Sequence, residues 1–245
     1  MKVVAVNGSP HAEKGNTAML LAPFLEGMQG AGAEVELFHT KRLTIHPCQG
    51  EFHCWFRTPG ECMQEDDMAT LLPKLAEADV LVLATPLYVD GVSGPMKNLL
   101  DRMLPAIEPV LELREDHCRH PARRGPRDGK LVLVSNCGFW EMDSFDPLVA
   151  HVRAVCRNMG REFAGALLRP HGPALRAMQE QGLPVGGVLD AAREAGAQLA
   201  RDGRIAPETL EKVGRTLLPR ALYVMLANQH IRKALDEARE GPHGA

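Results

Sequence analysis

The sequence lacks a strong excess of either charge, and it lacks long apolar runs. Its 245 residues include 28 lysines and arginines against 31 aspartates and glutamates, a formal net charge of −3. This balance gives no reason to expect nucleic acid or an anionic membrane as a partner. No run approaches the roughly 18 apolar residues of a membrane helix, and no basic-then-apolar leader precedes the first strand. We therefore expect a cytoplasmic protein.

Internal repeats, low-complexity segments and a disulfide framework are also lacking. The hydrophobic content of 45% and the charged content of 24% are typical of a globular protein with an ordinary core. Of the six cysteines, Cys48, Cys54 and Cys62 stand close together in the sequence. In a reducing compartment such bunching points to metal or redox chemistry, or it has no chemical role.

Strands and helices alternate along the chain. Apolar runs predict five strands, at residues 3–6, 34–39, 79–85, 130–136 and 162–168. Parallel pairing of such strands requires crossovers, which are right-handed, so the pattern predicts an α/β fold with a doubly wound parallel sheet. Further helical patterns follow near residues 187–201, 207–218 and 220–239. We therefore divide the chain into an α/β domain, residues 1–170, and a C-terminal helical extension, residues 171–245, packed on the same domain or at a subunit interface.

The first strand ends in NGSPHAEKGNT, residues 7–17, which leads into a helical pattern. In such a strand–loop–helix unit, backbone N–H groups and a helix N-terminus converge on an anion. The loop lacks the Lys-Ser/Thr of a triphosphate-binding P-loop and the three-glycine spacing of the dinucleotide fingerprint. Its hydroxyls and amides, on Ser9, Asn16 and Thr17, suit a terminal phosphate monoester. The alternative is an ordinary connection with an N-cap residue.

Two more loops of unusual composition follow the third and fourth strands. They are PLYVDGVSG, residues 86–94, and CGFWEMDSFD, residues 137–146. In doubly wound sheets, ligands bind beyond the carboxyl ends of the strands, at the point where the strand order reverses. A strand order of 2-1-3-4-5 brings the ends of strands one, three and four side by side. We therefore expect the three loops to form one site.

These motifs resemble a known family. GSP…GNT in the first loop, TPLYVDGVSGPMKNLLDR at 85–102 and CWFRTPGECMQEDDM at 54–68 are similar to the NADPH-dependent FMN reductase and iron–sulfur flavoprotein group of flavodoxin-like proteins. The resemblance covers about residues 1–165. It implies a flavodoxin-like three-layer α/β/α sandwich with a five-stranded sheet of order 2-1-3-4-5. It also implies FMN as cofactor, NAD(P)H as co-substrate and assembly into a homodimer or homotetramer.

The resemblance also implies which residues hold FMN. The phosphate is expected at Ser9, His11, Asn16 and Thr17. Relatives often carry Arg or Lys at the position of His11, so charge compensation here depends on pH and we expect FMN to be held loosely. The isoalloxazine is expected against Pro86, Leu87, Tyr88, Val89 and Gly91, with backbone amides reaching its polar edge, and against Asn136, Cys137 and Gly138. Alternatively, Tyr88 packs on the next helix and Gly91 is a turn residue.

The cysteine loop departs from the family pattern. Iron–sulfur flavoproteins carry four closely spaced cysteines here, each giving one thiolate to a cubane cluster. This chain has Cys48, Cys54 and Cys62, and Glu51 stands where the second of the four is expected. Three thiolates with Glu51 or His53 would suit zinc. We favour a loop without a metal, retained for its shape around the flavin, over an iron–sulfur cluster or a zinc site.

Three further features have alternative interpretations. An arginine-rich segment suits the 2′-phosphate of NADPH or a neighbouring subunit, although a solvated excursion is favoured; its residues are Arg119, Arg123, Arg124 and Arg127. Trp140 either stacks near the flavin or contacts a second subunit. Tyr223 and His230 lie on one face of a late helix, which indicates core or interface.

The resemblance implies an FMN-dependent oxidoreductase. Hydride would pass from NAD(P)H to the flavin N5, and the electrons would then reach a small acceptor such as a quinone or free flavin. Because the cofactor carries this chemistry, we predict no protein acid or base. One alternative is a non-enzymatic FMN carrier, with or without a cluster, that serves a protein partner. Another is a binding or assembly module that has lost the cofactor.

Overall fold

The computed structural model describes residues 1–123 and 129–240 of the chain. Its centre is a five-stranded parallel sheet, beside which lies a two-stranded antiparallel hairpin. The strands are β1 (Lys2–Asn7), β2 (Glu34–His39), β3 (Val80–Pro86), β4 (Glu112–Arg114), β5 (His117–Arg119), β6 (Lys130–Asn136) and β7 (Glu162–Arg169). The parallel sheet has the order β2-β1-β3-β6-β7. With the hairpin β4–β5 set aside, this is the predicted order 2-1-3-4-5, which is confirmed.

Helices cover both faces of the sheet. They are α1 (Asn16–Gly30), α2 (His53–Phe56), α3 (Met68–Glu77), α4 (Gly94–Asp101), α5 (Asp146–Met159), α6 (Gly172–Glu180), α7 (Gly186–Asp202), α8 (Pro207–Gly214) and α9 (Arg220–Glu240). One core packs α1 and α7 on the sheet, and a second packs α3, α4 and α5 on the opposite face. The central strands are apolar throughout because both of their faces are covered. The predicted three-layer α/β/α sandwich is confirmed.

Helix α7 belongs to the C-terminal extension and packs directly on α1. A Cβ atom on Gly27 would lie 1.8 Å from the carbonyl oxygen of Arg193, and one on Gly196 would lie 1.9 Å from that of Phe24. The two helix backbones are therefore in contact, and only glycine allows this approach. The extension thus fills a layer of the core, while the domain boundary at residue 170 stays a prediction.

The hairpin β4–β5 and helix α6 are elements that the sequence patterns did not predict. The hairpin turn consists of Glu115 and Asp116, with φ angles of +51° and +58°. A two-residue turn of this kind commonly carries Asn-Gly or Asp-Gly. Because this turn has no glycine, its residues do not indicate a hairpin in the sequence. Helix α8 ends at Gly214, four residues before the predicted end, whereas α9 begins at the predicted residue 220. Among the described residues, no helix is long and apolar enough to cross a bilayer.

Candidate functional site

The loops after β1, β3 and β6 lie side by side, because these three strands are neighbours in the sheet. Hydrogen bonds join them. The hydroxyl of Ser93 donates to the carbonyl of Gly8 at 2.7 Å. The amide of Leu87 donates to the carbonyl of Asn136 at 2.9 Å. The expected convergence of the three loops is confirmed.

Asn7 shapes the first loop from its buried position at the end of β1. Its Oδ1 accepts from the amide of Ser9 at 2.9 Å, and its Nδ2 donates to the carbonyl of Ala12 at 3.1 Å. These two bonds fold the loop back over the strand end, where Ala12 has a φ of +47°. Sequence reasoning passed over Asn7, although Asn is a common residue type in loops that fold on their own backbone.

The N-terminus of α1 is open towards this loop. Gly15 is the N-cap residue, no described side chain caps the helix, and its first turn carries no acidic residue. The first N–H groups of a helix have no intrahelical acceptor, and the helix dipole favours an anion there. A Cβ atom on Gly15 would lie 2.5 Å from the Oγ of Ser9, so any other residue there would displace that hydroxyl from the cradle. This arrangement fits a phosphate monoester.

The four residues predicted at the phosphate differ in their exposure to solvent. Ser9 and Thr17 are buried, Asn16 is half-buried and His11 is exposed. The Oγ1 of Thr17 accepts a hydrogen bond from Nδ2 of Asn136 at 2.7 Å. Thr17 and Asn136 thus join the helix start to the end of β6 and form the floor of the site, although we predicted Asn136 at the isoalloxazine.

One cation at this loop was not expected from the sequence. Arg176, on α6, donates Nε to the Oδ1 of Asn16 at 2.6 Å and Nη2 to the carbonyl of Lys14 at 2.8 Å. No sequence signal identified it, because α6 itself was not predicted and its contacts join distant segments.

The loop after β3 is a tight two-residue turn. Tyr88 and Gly91 exchange backbone hydrogen bonds of 3.1 Å, and Val89 and Asp90 between them have φ angles of +46° and +60°. Positive φ is rare for a β-branched residue, and such strain clusters at functional sites. Val89 is fully exposed and Tyr88 is 47% exposed. Both interpretations of Tyr88, against the isoalloxazine or packed on the next helix, stay predictions.

The backbone donors of this loop are fewer than the sequence suggested. Pro86 has no N–H group, and the amides of Leu87 and Tyr88 are bonded to the carbonyls of Asn136 and Gly91. The amide of Val89 has no acceptor among the described residues. Of the four residues predicted to reach the flavin edge with backbone amides, only Val89 keeps an N–H group without an acceptor among the described residues, because Leu87 donates to the end of β6 and Tyr88 donates within the turn.

The loop after β6 exposes apolar surface on a fixed backbone. Cys137 is buried, its amide donates to the carbonyl of Arg169 at 3.1 Å, and burial raises the pKa of its thiol. Phe139 is 62% exposed and Met142 is 43% exposed. Together with the exposed turn after β3, this loop offers apolar surface beside the anion cradle, as a flat heteroaromatic ligand requires.

The C-terminal extension holds the loop after β6 in place. Trp140 donates Nε1 to the carbonyl of Leu218 at 2.9 Å, and Tyr223 donates its hydroxyl to the carbonyl of Gly138 at 2.5 Å. Trp140 is therefore held against the C-terminal extension, and both of the roles considered from the sequence stay predictions. Tyr223 is buried, whereas His230, predicted on the same helix face, is exposed.

A buried arginine fixes the extension to the sheet. Arg169, the last residue of β7, donates to the carbonyls of Val213 and Arg215 at 2.8 and 2.7 Å. Burial, and then the charge of Arg215, lower the pKa of Arg169 to about 10. Its neighbour His171 accepts the amide of Leu217 on Nε2 at 3.1 Å. Sequence reasoning identified neither Arg169 nor His171.

The cysteine loop does not form a cluster site. Within residues 1–123 and 129–240, no group of three or more His, Cys, Asp or Glu side chains is arranged to hold a metal ion. Cys54 is buried, and burial, followed by the nearby Cys62, Glu51 and Cys48, raises the pKa of its thiol. A cluster needs thiolates, usually four of them, and this loop offers three cysteines. The residues present do not fit an iron–sulfur cluster.

The arginine-rich segment lies only partly within the described residues. Arg123 donates to Glu108 at 2.9 Å and to the carbonyls of Pro105 and Cys54 at 3.0 and 3.3 Å, so it ties the cysteine loop to the chain after α4. Arg119 donates to the adjacent carbonyl of Cys118 at 2.9 Å. Arg124 and Arg127 lie outside the described residues.

Similarity to known proteins shows to which family the chain belongs. The model of the NADPH-dependent FMN reductase family matches residues 1–144, which is more than half of the chain. The chain belongs to the NADPH-dependent FMN reductase family. Membership in this FMN reductase family implies FMN as the cofactor, and the open cradle at the N-terminus of α1 fits its phosphate.

A curated relative of this FMN reductase family member is similar to part of the chain in sequence. An iron–sulfur flavoprotein of Archaeoglobus fulgidus is 42% identical over 102 residues, which are 42% of this chain and 48% of that protein. The chain thus spans about half the length of the curated relatives it matches.

Two solved structures are similar in fold. An azoreductase from Bacillus anthracis has a TM-score of 0.58 at 16% identity, covering 82% of this chain and 99% of its own. An NAD(P)H:quinone oxidoreductase from Methanothermobacter marburgensis has a TM-score of 0.56 at 20% identity, covering 81% of this chain and 96% of its own.

Proposed function

We propose that this protein is an FMN-dependent NAD(P)H oxidoreductase that reduces a small acceptor such as a quinone, a free flavin or a similar electrophile. The observation that carries the proposal is the open N-terminus of α1, where Gly15 lies so close to the Oγ of Ser9 that a Cβ atom would displace this hydroxyl. An anion cradle of neutral donors beside two apolar loops suits a phosphorylated flat heteroaromatic.

In this proposal the first loop holds the phosphate of FMN. Ser9, Asn16 and the first amides of α1 would donate to it, and His11 stands at the exposed rim. Thr17 accepts the bond from Asn136 and keeps its own O–H, which would also donate to the phosphate. Because the donors are held by buried backbone and side-chain bonds, they need little reorganisation when the anion binds.

The loops after β3 and β6 would hold the isoalloxazine. Tyr88 and Val89 are exposed on one loop, and Gly138 lies on the other with its carbonyl fixed by Tyr223. The amide of Val89 would donate to the polar edge of the ring. When bound, FMN accepts a hydride from a nicotinamide and passes the electrons on, and the protein supplies position, polarity and an apolar slot.

The class of acceptor is supported by the proteins that share the fold. They include an azoreductase and an NAD(P)H:quinone oxidoreductase, both of which reduce small oxidised molecules as their names state. The exposed apolar side chains of Phe139 and Met142 would suit such an acceptor. No protein acid or base is assigned.

We also propose assembly into a homodimer or homotetramer. Helix α9 is exposed along almost its whole length, and several of its side chains are apolar: Leu222, Val224, Met225, Leu226, Ile231 and Leu235. Light scattering of the purified chain measures its mass in solution. A mass of two or four chains supports the proposal, and a monomer at micromolar concentration contradicts it.

The function is tested by loading the purified protein with FMN and following oxidation of NADPH and NADH with a quinone, free FMN or an azo dye as acceptor. Turnover with any of them supports the proposal. Bound FMN without turnover, but with electron exchange with a protein partner, would favour the carrier alternative. A protein that does not bind FMN, shown by unchanged flavin fluorescence and an unchanged melting temperature, would favour the module that has lost its cofactor.

A further inference from the structure

Arg176 reaches the first loop from the other end of the chain. It lies on α6, 160 residues after Asn16, and its Nε donates to the Oδ1 of Asn16 at 2.6 Å. Its Nη2 donates to the carbonyl of Lys14 at 2.8 Å. The start of α6 is anchored by the amide of Gly172, which donates to the carbonyl of Cys137 at 2.8 Å. The guanidinium is therefore held at the loop by a helix fixed to the end of the sheet.

The bond from Arg176 sets the orientation of the Asn16 carboxamide. A guanidinium carries donors only, so the atom that faces its Nε is the carboxamide oxygen. The NH₂ group of Asn16 then points away from Arg176 as a donor. Asn16 is the first residue of α1, beside the open amides of the helix start. An anion at that position would meet a donor and not a carbonyl oxygen.

Arg176 also changes the charge at the loop. It engages the carbonyl of Lys14, which would otherwise present a negative dipole end at the loop. Its Nη1 lies 3.9 Å from the Oε1 of Glu180, and the Arg176 side chain is 36% exposed. The Glu180 carboxylate therefore offsets part of the positive charge of Arg176. A planar guanidinium bonded to both groups keeps its position while it adds positive charge near the cradle.

We infer that Arg176 is a positioning residue that makes this loop select a phosphorylated flavin over its unphosphorylated form, by fixing Asn16 as a donor and adding positive charge. The inference rests on the proposed function, since it concerns the phosphate of FMN. The C-terminal extension thereby takes part in the selection of the cofactor, a role that the motifs of the first loop do not indicate.

The test compares the dissociation constants of FMN and riboflavin, which differ by the phosphate alone, for the wild type and R176Q. We expect the wild type to prefer FMN. Loss of a charge-assisted interaction in R176Q should weaken FMN binding about tenfold or more and leave riboflavin binding within about twofold. R193Q is the matched control, because Arg193 also joins the extension to α1, through Glu26 at 2.9 Å, but away from the loop. It should change neither constant.

A second variant, N16A, separates the donor of Asn16 from the charge of Arg176. Alanine removes the NH₂ donor and adds no charge, so FMN binding should fall by less than in R176Q while riboflavin binding is retained. If both flavins lose affinity equally in R176Q, or if neither does, the inference is overturned while the proposed function stands. If the wild type binds neither flavin, both fail.

Discussion

The guanidinium of Arg169 lies 3.1 Å from the Nε2 of His171, and both side chains are buried. The same Nε2 accepts the amide of Leu217. An imidazole nitrogen that faces two donors is unprotonated, so His171 is neutral with its proton on Nδ1. Burial, and then the charge of Arg169, lower the pKa of His171 from 6.5 to about 4, against a smaller opposite effect of the Trp140 backbone.

This relationship predicts a loss of stability in mild acid. The unfolded state takes up a proton on His171 below pH 6.5, and the folded state does so only near pH 4. The contribution of His171 to the free energy of unfolding is therefore complete above pH 6.5. It falls as the pH drops towards 4, by an amount on the order of 3 kcal/mol. Denaturant unfolding across this range measures it. H171Q should show a shallower decline than the wild type, and equal slopes would contradict the prediction.

The anion cradle predicts that G15A loses FMN affinity. Gly15 has φ −78° and ψ 159°, which alanine also adopts, so the added methyl acts through its contacts: 2.5 Å to Ser9 Oγ, 3.3 Å to His11 Cβ and 3.4 Å to the carbonyl oxygen of Ala12. We expect FMN binding to weaken tenfold or more and stability to fall by about 1–3 kcal/mol. Fluorescence titration measures the affinity. The control is G30A on the same helix, whose Cβ would meet no described atom within 4 Å. Unchanged FMN affinity in G15A would contradict the assignment.

The buried ion pair between Asp66 and Arg102 predicts a large destabilisation in D66N. Both side chains are at most 1% exposed, and Arg102 donates to the carboxylate at 2.5 and 3.0 Å. Burial opposes ionisation of Asp66, but the bonds from Arg102 and the amide of His46 outweigh it and lower its pKa. Removing the carboxylate should cost about 3–5 kcal/mol. D101N, which breaks the exposed pair with Lys97, should cost less than about 1 kcal/mol. Similar losses in both variants would be contrary to this account.

The two tyrosines of the chain provide a matched pair. The hydroxyl of Tyr223 donates to the carbonyl of Gly138 at 2.5 Å, whereas Tyr88 is 47% exposed. Y223F should lower the free energy of unfolding by about 1 kcal/mol and weaken FMN binding, because the loop after β6 loses a restraint. Y88F should leave stability unchanged. Thermal unfolding and FMN titration distinguish them, and an unaffected Y223F would show that the extension does not hold this loop.

Much of the fold and the location of the site could be predicted from the sequence. Continuous apolar runs such as Val80–Pro86 favour buried parallel strands, and the strand order follows from the resemblance to flavodoxin-like proteins. The first loop is local, so its glycine, hydroxyl and amide residues appear together in residues 7–17. Both predictions depend on neighbours in the sequence.

The rest of the site depends on contacts between distant residues. Arg176 and Arg169 act on segments far from them along the chain, and no local pattern indicates which partner a buried arginine will meet. Hydrogen bonds also decide which predicted donors are available. The amides of Leu87 and Tyr88 already donate to backbone carbonyls of this chain, and only the folded backbone shows these bonds.

If the three loops hold FMN as proposed, a nicotinamide reduces the flavin there. Anaerobic stopped-flow mixing of the FMN-loaded protein with NADPH, followed by the visible absorbance of the flavin, measures this reduction. We predict bleaching at a rate within the range of enzyme turnover, about 1–1,000 per second. Bound FMN that keeps its oxidised spectrum for minutes with both NADPH and NADH would contradict the account.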